Sequence, residues 1–143
     1  AEEVFMEPDS QNQVKVFTLE EANALLPRLT VMVRDLQAKR EKIQFLEVEI
    51  DTLELVTEKD CGGSSPLLNK KVDEYTRIMA AFYAQVDEIH GLGCFLKDLD
   101  MGLIDFYALR NNRGIFLCWK LGEEKVEHWH DMNKGFTSRE KLD

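Results

Sequence analysis

Leu96–His130 reads LKDLDMGLIDFYALRNNRGIFLCWKLGEEKVEHWH and gathers both tryptophans, two of the three histidines, one of the three cysteines and a cluster of carboxylates. Within it, Leu103–Arg110 and Ile115–Leu121 are apolar, β-prone runs flanking Asn111-Asn112-Arg113-Gly114, a hairpin signal. Glycine at the last of these positions points to a type I turn with a G1 bulge. A third strand, Lys125–His130, follows Gly122-Glu123-Glu124. Residues 96–131 are thus expected to form a β cassette, a small antiparallel three-stranded meander.

Outward from the cassette the chain is helical. Thr18-Leu19-Glu20-Glu21 is a capping box, in which hydroxyl and carboxylate satisfy each other's backbone amides. From there Ala22, Leu29, Leu36, Ile43 and Ile50 recur every seven residues, with Leu25, Met32, Leu46 and Leu53 three later. This a/d seam predicts a helix over 18–56, kinked where Pro27 cannot donate to Asn23. Glu58–Ser64 reads as a loop. Ser65-Pro66 opens a second helix over 65–90, whose seam is Leu68, Val72, Tyr75, Met79, Phe82, Val86 and Ile89, with Gly91 as C-cap.

A short link makes the pair an antiparallel helical hairpin. At 1.5 Å per residue, helices of ~37 and ~25 residues leave roughly 18 Å of the first one overhanging, and the cassette must cover its first turns. The fold class is therefore α+β and mostly α: a long antiparallel helical hairpin with a small C-terminal β-meander. All 143 residues are expected to form a single domain, with residues 1–13 a mobile arm and 132–143 a polar tail.

The net charge of −9 argues against nucleic acid as a partner, because phosphate binding needs a basic face. No run approaches the ~20 apolar residues of a membrane span. Three cysteines without CxxC spacing fit the cytoplasm or another reducing compartment.

FTLEEANALLPRL (17–29), GCFLKDLDMGLIDF (93–106), LCWKLGE (117–123), Trp129-His130 and the final GF-x-x-R (135–139) together resemble the bacterial family catalogued as domain of unknown function 2203. The resemblance spans residues 16–142 and departs at Ser138, where members often carry glycine before the arginine. It implies a helical hairpin with a small C-terminal β unit and no particular activity.

Two classes of function follow from the residues. The first is a non-enzymatic module that homodimerises or binds another protein. Ala24, Val31, Ala38 and Phe45 recur every seven residues opposite the a/d seam, and the second helix is apolar nearly all round at Ile78–Ala84 (Ile78 and Tyr83 among them), so one partner helix cannot cover everything. The second class is a small metal-dependent enzyme or ligand-binding protein using Asp98, Asp105, Lys120 and His130. His128 and His130 share a strand face and, with Asp98, Asp100 or Asp105 as third ligand, make a set for zinc, iron or manganese. Plainer readings stand beside these: His130 at a polar edge contact, His128 exposed, Asp98 and Asp100 shaping a turn, and Cys118 a small buried hydrophobe.

Asp105 depends on the turn. Closing Asn111 opposite Gly114 sets it against Lys120, whereas the preferred bulge puts it with Tyr107, Leu109, Leu117 and Trp119. Asp105 and His130 flank a middle strand, ~9–10 Å apart at the backbone. They are therefore expected to meet only through Lys120 or at the sheet's end, over the kinked helix.

Overall fold

A computed structural model describes residues 15–61 and 65–143, with side chains 58–61 outside that description. The expected arm at 1–13 and the glycines of the expected loop fall outside it. Helix α1 is Leu19–Cys61 and α2 is Pro66–Gly91. The capping box forms: Thr18 N donates to Glu21 Oε1 (2.9 Å) and Glu21 N to Thr18 Oγ1 (3.1 Å). Ser65 Oγ accepts from Leu68 N at 3.2 Å. Each such cap stabilises its helix by about 1 kcal/mol. α1 runs unbroken through Pro27 and past the expected stop at Val56, because Thr57–Asp60 holds no breaker before Gly62-Gly63. The turn after α2 is made by Gly93, at φ +99, rather than by Gly91.

The C-terminal part is a five-stranded antiparallel sheet in sequence order: β1 Phe95–Asp98, β2 Leu103–Arg110, β3 Arg113–Lys120, β4 His128–Asp131 and β5 Glu140–Lys141. The expected meander is present, with one further strand on each edge. β1 takes Lys97 and Asp98 out of the expected loop, and β5 orders the expected tail, helped by Leu142 N donating to Glu127 O at 2.7 Å. β4 starts at His128 rather than Lys125 because Val126 N is committed elsewhere, to Asn23 Oδ1 at 2.7 Å.

The β2–β3 turn corrects both expected registers. Arg110 pairs Arg113, so the loop has two residues, Asn111 at φ 52 and Asn112 at φ 63. Positive φ at both positions is a type I′ turn, whose twist matches the strands, and asparagine tolerates it. No G1 bulge forms, and Asp105 lies opposite Cys118, not Lys120 or Trp119.

The described chain divides into two compact units. The first joins residues 15–34 and 86–143. Its core takes Ala22, Leu29 and Val33 from α1, Val86 and Ile89 from α2, and Ile104, Phe106, Ile115, Leu117, Trp119 and Trp129 from one sheet face. Phe17 closes it, its ring edge-on to Phe106 at 5.1 Å and its N–H donating to Tyr107 O at 2.8 Å. Burying side chains of this size stabilises by about 1.5–3 kcal/mol each. The second unit is Asp35–Gln85, where the two helices pack on Leu36, Ile43, Leu46 and Phe82.

Candidate functional site

Strand pairing sends alternate residues to opposite faces. With one face of the sheet in the apolar core, the other receives Phe95, Asp105, Cys118, His128 and Lys141, paired in a single row across all five strands. Tyr107, Phe116 and His130 form the neighbouring row. His130 leaves its row. Its Nε2 lies 3.0 Å from Asp105 Oδ2, and both side chains are almost fully buried, at 2% and 6% exposure. This corrects the expectation that the two would meet only through Lys120 or at the sheet's end. Cys118 is the small side chain between them, and an aspartate and a histidine leaning inward over it span the middle strand.

The other ring nitrogen is also engaged. Nδ1 donates to the Asp131 carbonyl at 2.8 Å, since a carbonyl can only accept. The Cys118 thiol completes a cluster in which one ligand atom each from Asp105, Cys118 and His130 lies within 4.8 Å of the others. Burial alone would lower the pKa of His130, but the Asp105 carboxylate and Cys118 more than offset it and hold it at about 10. Burial pushes the Cys118 thiol up, with His130 pulling the other way.

Two groups of side chains border this nest. On one side are Phe95, Phe116 and Tyr107, with Phe116 5.7 Å from Phe95, 6.2 Å from Tyr107 and 5.6 Å from the His130 ring. Lys97 Nζ sits over both phenylalanines. On the other, Phe136 carries Lys120 Nζ at 5.7 Å and the Arg139 guanidinium at 4.4 Å. Arg139 grips Glu123 through two bonds, at 2.6 and 3.2 Å. Glu123 feels burial, which would raise its pKa, but Arg139 wins and lowers it.

Among the expected site residues, Asp105 and His130 are brought together and the rest are not. His128 is half-buried, its Nδ1 3.9 Å from Glu123 Oε2, outside the cluster; Cys118 stands in the position expected of it. Lys120 belongs to Phe136. Asp98 Oδ1 accepts from Met101 N at 2.9 Å, the turn-shaping role. The missed residue is Cys118, whose only sequence signal is the register that a two-residue turn imposes. Pro27 lines none of the described clefts; the apolar one beside the start of α1, about 330 Å³, is lined by Val16, Leu19, Leu109 and Ile115 among others.

The expected interface residues lie outward on the helices. Ala24 and Ala38 are exposed, Val31 is 68% exposed, Phe45 57% and Tyr83 54%, while Ile78 is half-buried. Val48 (65%) and Leu55 (73%), not foreseen, extend the α1 stripe. No described helix is long and apolar enough to cross a membrane.

The model of DUF2203, described as an uncharacterized conserved protein, matches residues 15–142. No curated protein and no solved structure matches.

Proposed function

The chain belongs to the DUF2203 family, whose description states no activity, and we propose that it is a self-associating helical-hairpin module. The observation that carries this reading is the outward stripe Phe45, Val48 and Leu55 on α1, spaced by three and seven residues and each more than half exposed. Such spacing keeps side chains on one side of a helix, where a lone soluble hairpin would carry polar residues. Isolated exposed hydrophobes need no explanation; a stripe at helical period marks an interface.

A second copy of the chain is the partner that fits. The α1 charges on the same turns, Lys42 and Glu49, are paired with Glu74 (3.5 Å) and Lys71 (3.2 Å) of α2, so they do not set like charges against a second copy. Two hairpins would then form a four-helix bundle. Light scattering at micromolar concentration should give twice the chain mass of 16.6 kDa. Val48→Glu should return a folded monomer. A wild-type monomer across that range overturns the reading.

A further inference from the structure

The Asp105–Cys118–His130 cluster has a geometry that the helical face does not use. Its three side chains offer an oxygen, a sulfur and a nitrogen, all buried, on the sheet face turned away from the apolar core. A Cys–His–Asp proton relay would put the acid and the nucleophile on opposite nitrogens of the imidazole. Here the Asp131 carbonyl occupies Nδ1 and the carboxylate takes Nε2, so no free nitrogen is left for the thiol, whose sulfur lies within 4.8 Å of the other two ligand atoms. The groups do not form a line along which a proton could pass. They converge on one point.

A bare ion pair between His130 and Asp105 accounts for two of these residues and leaves the thiol only a weak hydrogen-bonding neighbour of the imidazole. A cation accounts for all three. We propose that Asp105, Cys118 and His130 bind one divalent transition cation of zinc-like chemistry, through Oδ2, Sγ and Nε2, with a water or small anion as fourth ligand.

Several features support this. Metal-ligating histidines usually donate their other N–H to a carboxylate or backbone carbonyl, and Nδ1 of His130 does so at 2.8 Å. A dication with one thiolate, one carboxylate and one neutral imidazole is electrically neutral, which a buried site requires. Tetrahedral zinc with bonds of 2.0–2.3 Å holds its ligands ~3.3–3.7 Å apart, so separations within 4.8 Å need to close by about 1.5 Å at most, and Nε2 and Oδ2, now 3.0 Å apart, need to open by a few tenths of an ångström. Mixed sulfur and nitrogen ligation selects zinc and its neighbours over magnesium or calcium. Three protein ligands with one open position are the pattern of sites that bind an exogenous group rather than of closed structural ones.

The test uses the whole chain, stripped with a chelator and titrated with Zn2+ and, separately, Co2+. One equivalent should bind, and Co2+ should show near-ultraviolet thiolate-to-metal absorption. Cys118→Ser should abolish that absorption and weaken Zn2+ binding at least tenfold, while Cys94→Ser and His128→Ala leave both unchanged. Nitrogen NMR of the wild-type imidazoles needs no variant to fold: one equivalent of Zn2+ should move His130 and leave His128 and His90 in place. Less than half an equivalent bound, or a thiolate band that survives Cys118→Ser, or a shift at His128 with His130 unmoved, overturns the proposal.

Discussion

His130 Nε2 lies 3.0 Å from Asp105 Oδ2 although β3 runs between their strands, reaching diagonally past Cys118, the β3 partner of Asp105. Removing one member of a buried pair leaves the other charge without compensation, which costs about 3–5 kcal/mol. Asp105→Ala should lower unfolding stability by that amount in urea titrations of chelator-treated protein. The double variant Asp105→Leu/His130→Phe should recover most of it, because neither charge is then left buried. A loss under about 1 kcal/mol for the single variant would mean that the pair does not hold the sheet face together.

Glu123 and Arg139 make a pH-dependent tie. The folded-state pKa of Glu123 is lowered from 4.5, so its contribution is present above 4.5 and fades as pH falls through the folded value. Arg139→Ala should cost about 1.5–3 kcal/mol at neutral pH, the range for hydrogen bonds to charged groups. Thermal unfolding of the two proteins should converge as the solution is acidified below 4.5. A gap that stays constant on acidification contradicts the assignment.

Gly102 sits at φ +70, and a Cβ there would lie 2.5 Å from Leu121 Cβ. The left-handed backbone costs about 1–2 kcal/mol for alanine, and the overlap with the half-buried Leu121 about 1–3 more. Gly102→Ala should therefore destabilise by roughly 2–5 kcal/mol. Gly135→Ala, with negative φ and nothing within 4 Å, should change stability little. Equal effects in denaturant melts would sink this account of the Gly102 turn.

The two-residue Asn111-Asn112 turn should accept glycine gladly and reject branching. Asn112→Gly makes the preferred Asn-Gly type I′ sequence and should stabilise by up to about 1 kcal/mol. Asn111→Val forces a β-branched residue to φ 52 and should destabilise by about 1–2 kcal/mol. Melting temperatures that shift the other way would show that the turn is of another type.

The helices were legible because their signals are local: the capping box, Ser65-Pro66 and the seven-residue seam each fall within a few turns of chain. The sheet was legible as strands and not as register. Gly114 competes with Asn111-Asn112 for control of the turn, and a choice between them moves the partner of Asp105 among Lys120, Trp119 and Cys118. Only the last of these assembles the cluster, so the site was hidden by one backbone decision. β1 and β5 are short edge strands of four and two residues, too brief for alternation to announce. Val48 and Leu55 lie three residues off the seven-residue repeat of Ala24, Val31, Ala38 and Phe45, and a surface stripe on a helix spans two such positions.

Asp35–Gln85 is contiguous, while the unit holding the sheet is assembled from segments on either side of it. The hairpin is thus an excursion that leaves the chain after Arg34 and returns at Val86. Excising one heptad from each arm keeps the side-chain register of both helices nearly in phase, offset by about 20° per heptad. The same two junctions are where an antiparallel helical hairpin of foreign sequence would be grafted in place of the native one.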